Sequence, residues 1–260
     1  MSFSLNNRIV RFVVGAWVPI LIVYGWWSWS ATSENPYFPP LSMIWEQFKF
    51  LWIFDNVPTN LVPTLLNLFV GLAFGIALGV LIGAHLGLSA YATRMFMPII
   101  NFVRAIPAIA KVPIFIMFFG IDREMRIAVI TFVVMFPVMV ATIQAVRSTD
   151  PTLVDTAKAF KLSNLQILWK VRLPSASPQL FAAFQLAVQI AFLVAIAAEI
   201  LGAGFGLGAF TKIAQDSFLI VDMWTGVILI GLVGYALFLG FEVVERYFLR
   251  WYYGAKKLET

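Results

Sequence analysis

Six long runs of apolar residues dominate the chain, and a shorter polar segment separates each run from the next. A helix rises about 1.5 Å per residue, so roughly 20 apolar residues are needed to cross the hydrocarbon core of a bilayer. The pattern therefore predicts an all-α membrane protein with six transmembrane helices. The predicted spans cover residues 9–29, 61–88, 95–120, 127–146, 177–201 and 224–248.

The second predicted span has a glycine at every fourth position. Small residues at this spacing lie on one face of a helix and let a neighbouring helix approach closely. We favour packing against another helix of the same chain over a seam between two copies. The glycines are Gly71, Gly75, Gly79, Gly83 and Gly87.

The third predicted span is interrupted by Pro98, Pro107 and Pro113. Proline at membrane depth is tolerated where a helix bends or lines a cavity. We therefore expect this span to be irregular. Before the second span, residues 41–54 have the pattern of an amphipathic helix lying on the membrane.

The longest polar interruption in the C-terminal half is residues 150–174, DPTLVDTAKAFKLSNLQILWKVRLP. Asp150 followed by Pro151 is typical of a helix start. Ser163 with Gln166 three residues later forms a capping-box pattern for a second short helix, which Pro174 is expected to stop. Two short helices with a break near Lys161 and Leu162 would project from the bilayer and suit docking into a groove on another protein.

The basic residues are distributed unevenly between the two sides that six spans would create. Cytoplasmic segments are richer in Lys and Arg, so the side with twelve of them is predicted to be cytoplasmic, with both termini and segment 150–174 on it. These twelve are Arg8, Arg11, Arg94, Arg147, Lys158, Lys161, Lys170, Arg172, Arg246, Arg250, Lys256 and Lys257. The other side has Lys49, Arg123, Arg126 and Lys212.

Composition excludes several kinds of chemistry. With 61% hydrophobic residues the chain is too apolar for a soluble domain. It has no cysteine and one histidine, His85, which excludes disulfides and thiol chemistry and argues against a histidine metal site or a Ser–His pair. The net charge of +5 does not indicate nucleic-acid binding, because the basic residues form no stripe with aromatic partners. No cleavable signal peptide is expected, since the first apolar run is long.

The segment 150–174 resembles the EAA loop of binding-protein-dependent ABC transporter permeases. Asp155-Thr156-Ala157, Lys161 and then Val171-Arg-Leu-Pro174 keep every spacing of that loop, with Asp for Glu, Thr for Ala and Lys161 for Gly. Residues 104–120, with R-A-I-P at the start and F-F-G at the end, are similar to a second segment of these permeases. Ala198-Glu199-Ile-Leu-Gly-Ala and the following G-L-G resemble the nitrate, sulfonate and taurine branch.

The resemblance implies the fold of a type I ABC importer permease, with six transmembrane helices and a cytoplasmic coupling-helix loop. It divides the chain into an N-terminal helix with an extracytoplasmic amphipathic segment (1–60), the permease domain (61–248) and a cytoplasmic tail (249–260). The implied assembly lies in the bacterial plasma membrane and contains two permease copies, expected to be a homodimer, two cytosolic ATPase subunits and an extracytoplasmic binding protein. The implied ATPase contact consists of Asp155, Thr156, Ala157, Phe160, Lys161, Leu162 and Ser163.

The chain has no G-x-x-x-x-G-K-[ST] phosphate-binding loop, so it is expected to be a transport subunit without catalysis or a cofactor of its own. ATP and Mg²⁺ would be bound by the partner ATPase. The rival classes are a secondary transporter, for which we find no internal repeat, a membrane-embedded enzyme and a structural assembly protein.

Three ionisable residues are predicted at or near membrane depth: Arg104, Lys111 and Glu199. Charges in hydrocarbon are costly, so such groups line a water-filled path or pair with another polar group. One hypothesis is that Arg104 and Lys111 attract an anion such as an aliphatic sulfonate, taurine or nitrate. The alternatives are pairing with Glu199 or extension of the side chain to the interface. A vitamin precursor, bicarbonate or an aromatic carboxylate stays open as the substrate.

Overall fold

Residues 8–202 and 204–256 are described by a computed structural model, and the regular elements in this part of the chain are all helical. The predicted all-α class is confirmed. The tail residue Lys257 and Ala203, the last residue of the A-E-I-L-G-A motif, lie outside the described residues. The helices are α1 Arg8–Ser30, α2 Leu41–Phe50, α3 Val62–Leu88, α4 Ala90–Ala105, α5 Val112–Phe119, α6 Arg123–Arg147, α7 Pro151–Ala159, α8 Asn164–Ile167, α9 Leu173–Ser175, α10 Ser177–Gly202, α11 Leu207–Asp216, α12 Ile220–Phe248 and α13 Arg250–Lys256.

The glycine face of α3 packs directly against α6. A Cβ atom on Gly79 would lie 2.7 Å from the Met135 carbonyl oxygen, and one on Gly83 would lie 2.6 Å from the Met139 carbonyl oxygen. Both distances are far shorter than a normal van der Waals contact, so the two backbones touch because these residues have no side chain. The predicted packing within one chain is confirmed.

The core of the molecule lies where α10 joins this helix pair. Alanines and valines of α10, such as Ala191 and Ala195, are fully buried against branched side chains of α6, such as Val134. Small residues on one helix and β-branched residues on the other interdigitate at close range. The three helices α3, α6 and α10 therefore form the rigid centre of the fold.

Four helical segments of the described chain are long and apolar enough to span a membrane: Val57–Leu88, Arg123–Arg147, Ser177–Gly202 and Ile220–Phe248. A fifth candidate is the pair Ala90–Ala105 and Ile109–Phe119, whose axes differ by 91°. Proline disfavours helical conformation in the residue before it, and Ile106 before Pro107 is extended, with φ −69° and ψ 125°. The first predicted span corresponds to α1. The count of six is not confirmed.

The amphipathic segment before α3 is helical, as predicted, and it packs against the beginning of α12. The Gln47 amide donates a hydrogen bond to Asp222 (2.8 Å), and the Trp52 indole donates one to Thr225 (3.0 Å). Two π-helical turns, Leu51–Asp55 and Val57–Leu61, then lead into α3.

The helix bundle has two distinct ends. At one end α6 runs into segment 150–174, which leads into α10; we call this the loop end. The last turn of α12 also lies there, since the rings of Phe181 and Phe248 are 5.7 Å apart. The starts of α3, α6 and α12 and the end of α10 form the opposite end.

Candidate functional site: the loop between α6 and α10

The first half of the loop is a capped helix. The Thr152 amide donates to the Asp150 side chain (2.8 Å), and Pro151 occupies the first turn, where its missing N–H costs no hydrogen bond. Helix α7 therefore begins where the sequence predicts.

Lys161 ends this helix in a left-handed conformation, with φ +57°. The Lys161 amide donates to the Lys158 carbonyl (2.8 Å), and the Leu162 amide donates to the Ala157 carbonyl (3.1 Å). This pair of bonds is the Schellman arrangement, which usually has glycine at the left-handed position. Lys161 thus has the conformation that suits the glycine of the resembled family, at a cost in backbone strain.

The second half of the loop begins with the predicted capping box. The Gln166 amide donates to the Ser163 hydroxyl (3.3 Å), and the Ser163 amide donates to the Gln166 side chain (2.9 Å). The expectation that Pro174 stops this helix is wrong. A π-helical turn, Leu168–Arg172, places Pro174 in the first turn of the next helical segment, where proline is accommodated.

A small apolar core holds the two halves together. Val154, Ala157 and Ile167 are buried against each other, with Leu162 and Val171 packed at the edge. Ala157, which was predicted at the ATPase contact, is only 4% exposed. Its side chain therefore faces the interior of the loop and brings the two helices together.

The remaining predicted contact residues lie at or near the surface. Phe160 is 79% exposed at the tip, and Leu165 in α8 is also exposed. Asp155 forms an exposed ion pair with Lys158 (3.1 Å). Four further predicted residues complete this surface, three exposed and Leu162 half-buried: Thr156, Lys161, Leu162 and Ser163. Large exposed aromatic groups surrounded by charges are typical of protein interaction sites.

The loop is fixed to the bundle by a charged hydrogen bond. The Arg172 guanidinium donates to the Val146 carbonyl oxygen (2.9 Å) in the last turn of α6. Leu168 and Leu173 are buried against Val146 and Ala145 nearby. The exposed tip is therefore carried on a rigid base.

The structure gives different surroundings to the three ionisable residues that the sequence predicts at membrane depth. Arg104 is exposed at the end of α4. Lys111 is 6% exposed, and its ammonium donates to the Ile106 carbonyl (2.9 Å) across the bend. The alternative in which Lys111 pairs with Glu199 is not observed.

Glu199 lies instead in a polar cluster at the opposite end of the bundle. It is 1% exposed, accepts a hydrogen bond from the Thr64 hydroxyl (2.7 Å) and another from the Gly208 amide (2.9 Å). The Arg126 guanidinium attracts it electrostatically. These contacts join α3, α6 and α10 to the start of α11.

Sequence reasoning missed Arg126 as a partner because it assigned this residue to a polar turn. Arg126 is in fact one turn inside α6, is 1% exposed, and lies over the Phe205 ring at 3.8 Å from its centroid. Glu199 was the clue to this partnership in the sequence, since a carboxylate buried in a membrane protein requires a nearby basic side chain to compensate its charge.

The comparisons with known proteins agree with this geometry. A family described as "Binding-protein-dependent transport system inner membrane component" matches residues 75–252. The taurine transport system permease protein TauC of Escherichia coli (strain K12) is 26% identical over an alignment of 259 positions, which covers 95% of this chain and 91% of the relative. The nitrate import permease protein NrtB of Leptolyngbya laminosa is 25% identical over an alignment of 239 positions, which covers 89% of this chain and 86% of the relative.

Among solved structures, one chain of the MetNI methionine ABC transporter in an inward-facing conformation matches with a TM-score of 0.65 and 22% identity. The match covers 73% of this chain and 94% of that chain. This likeness confirms the predicted fold class, that of a type I ABC importer permease. The family match contains the whole segment 150–174, so the resemblance inferred from the loop is confirmed, and the protein is a multi-pass membrane protein. The chain belongs to the family of binding-protein-dependent transport system inner membrane components.

Proposed function

We propose that the chain is the permease subunit of an ABC importer that moves a small anion, such as an aliphatic sulfonate, taurine or nitrate, into the cell. The proposal rests on the loop between α6 and α10, which Arg172 fixes to the bundle and which exposes Phe160 at its tip. The relatives named for taurine and nitrate transport support this choice, because nitrate is an anion and taurine, although zwitterionic, carries an anionic sulfonate group. ATP is hydrolysed by two separate cytosolic subunits, and an extracytoplasmic binding protein delivers the substrate to a homodimer of this chain.

In this proposal Phe160 and Leu165 enter an apolar cleft on the ATPase. Asp155, Lys158 and Lys161 lie around them and orient the contact at its rim, where charges contribute more to specificity than to affinity. The internal packing of Ala157 keeps the tip rigid, so movement of the ATPase is passed to α6 and α10.

Replacing Phe160 with serine tests this contact. Loss of a central aromatic anchor costs about 2 kcal/mol or more, which corresponds to at least a roughly 30-fold weaker interaction. The measurement is the amount of ATPase subunit that co-purifies with the membrane-inserted permease. Phe218→Ser is the matched control, because Phe218 is equally exposed (75%) but lies at the opposite end of the bundle. Equal ATPase recovery with both variants would contradict the proposed docking site.

The proposed orientation places the loop in the cytoplasm, as the twelve-to-four distribution of basic residues predicts. The chain has no cysteine, so a single introduced cysteine is a unique label. A membrane-impermeant maleimide should label Ser163→Cys in inside-out vesicles and Ser217→Cys in intact cells. The reverse pattern would place the loop outside the cell, where no cytosolic ATPase reaches it.

We assign Lys111 to the anion path. Its ammonium lies at the bend between α4 and α5, and it has three donors, of which one serves the Ile106 carbonyl. Two variants separate charge from shape. Lys111→Gln keeps an N–H donor for Ile106 without the charge, whereas Lys111→Leu loses both. If charge attracts the substrate, both variants reduce anion uptake at equal expression; if Lys111→Gln retains wild-type uptake, Lys111 acts only on the helix bend.

A further inference from the structure

Two adjoining cavities form a groove between α10 and α12, and the cavity at the loop end is polar. This part is a cleft of about 720 Å³, which lies within the roughly 300–1,000 Å³ typical of small-molecule sites. Its polar lining comes from both helices and from α13: Gln185, Glu242, Glu245, Arg246, Arg250 and Tyr253.

The groove continues toward the opposite end as an almost purely apolar channel of about 260 Å³. Phe238 lines both parts, so the polar cleft and the apolar channel adjoin at this side chain. Gly234 and Phe192 both line the channel, and a Cβ on Gly234 would lie 3.0 Å from the Phe192 ring, so a side chain at this position would crowd that wall. Leu193 of α10 and Ile230 of α12 also line the channel.

The polar cleft lies at the depth of lipid headgroups. Glu242 is 22 positions after Ile220, the start of α12, which corresponds to about 33 Å along the helix. The hydrocarbon core of a bilayer is about 30 Å thick, so Glu242 lies at its boundary on the loop side. The apolar channel then lies at the depth of the acyl chains in the same leaflet.

The charges in the cleft are balanced and mixed. Arg246 forms an ion pair with Glu242, and the Tyr253 hydroxyl donates to Glu245 (2.9 Å). Arg250 lies at the rim, 4.7 Å from the Tyr247 ring centroid. Two guanidinium groups and two carboxylates match a ligand that carries one anionic and one cationic group, whereas a purely anionic headgroup would meet the carboxylates unfavourably.

We propose that this groove binds a phospholipid whose headgroup carries a phosphate and a primary ammonium, as phosphatidylethanolamine does. Arg246 and Arg250 hold the phosphate, because guanidinium groups match its geometry and charge. Glu245 accepts hydrogen bonds from the ammonium. One acyl chain lies in the channel beside Gly234.

Native mass spectrometry of the purified chain, taken from nanodiscs with equal amounts of phosphatidylethanolamine and phosphatidylglycerol, tests the headgroup. The retained lipid should be mainly phosphatidylethanolamine. Loss of a charge-assisted hydrogen bond weakens binding by about tenfold or more, so Glu245→Gln should reduce the ethanolamine preference by about that factor. Glu124→Gln, an exposed carboxylate at the opposite end, is the control. Retention of both lipids in equal amounts, unchanged by Glu245→Gln, would overturn the proposal.

Filling the channel tests the acyl chain independently of the headgroup. Leu193→Trp should abolish lipid retention, while Leu232→Trp, on an exposed part of α12 outside the groove, should leave it unchanged. Equal retention by the two variants contradicts the assignment of the channel. The competing hypothesis is that a second copy of the chain occupies the groove. In that case the Leu193→Cys variant would form disulfide-linked dimers rapidly in the membrane, and this result would overturn the lipid site.

Discussion

The close contact between α3 and α6 predicts that adding a single methyl group to the glycine face of α3 destabilises the fold. Gly83→Ala would place a Cβ 2.6 Å from the Met139 carbonyl oxygen and 2.8 Å from the Thr142 Cβ. One of the two neighbours is backbone, which has no rotamer to change. The helices must therefore separate locally, and the separation disturbs the rest of the glycine face.

The size of the effect follows from the packing. Overpacking a close interface costs about 1–3 kcal/mol. Alanine is the better helix former by up to about 1 kcal/mol, which offsets part of this cost. Because the clash is with backbone, the overpacking cost lies in the upper part of its range, about 2–3 kcal/mol, and the net destabilisation is about 1–2 kcal/mol. For a chain of this size each kcal/mol lowers the midpoint of unfolding by about 2–4 °C.

The measurement is the apparent midpoint of thermal unfolding in detergent, followed by tryptophan fluorescence at a fixed scan rate. Gly231→Ala is the control, since Gly231 lies in membrane helix α12 and a Cβ atom there would meet no neighbouring group within 4 Å. We expect the Gly83 variant to unfold several degrees below the wild type and the Gly231 variant at or above it. An unchanged midpoint for Gly83→Ala would refute the close backbone contact.

Two further substitutions probe backbone conformation. Lys161→Gly should stabilise the end of α7 by about 0.5–1 kcal/mol, because the left-handed conformation costs lysine about 1–2 kcal/mol and the conformational entropy that glycine loses on folding offsets part of this gain. Hydrogen exchange of the Leu162 amide should slow, and faster exchange would contradict the assignment. Gly206→Ala should destabilise the link between α10 and α11, because Gly206 has φ +109° and a Cβ there would overlap the Glu199 carboxylate. The expected result is faster protease cleavage near Gly206, and cleavage at the wild-type rate would argue against the polar cluster around Glu199.

Local patterns in the sequence predicted the parts of the fold that depend on local physics. The caps at Asp150 and Ser163 occur where the residue types place them, because capping involves neighbours within three positions. The glycine face of α3 was also predicted, since its spacing encodes a close helix contact. Even the break at Lys161 follows from the spacing, although lysine is an unusual residue for it.

Contacts between distant segments could not be predicted in this way. The partnership of Arg126 with Glu199 depends on how α6 and α10 pack, and no local pattern contains it. The burial of Ala157 likewise depends on Ile167 folding back over it. Pro174 shows the limit of a single-residue rule, because a proline that ends one helix can equally occupy the first turn of the next.

The arrangement of α6 and α10 has a mechanical consequence. Both helices end or begin at the loop, and their far ends carry Arg126 and Glu199. Helix α10 has 26 residues, so it is about 39 Å long and works as a stiff lever. A torque that tilts it by about 5° around the loop would displace its far tip by ~3 Å, since a packed interior hardly compresses. In the proposed docking arrangement, a push on Phe160 would therefore be carried along α10 to the buried side chains of Arg126 and Glu199 at the opposite end of the bundle.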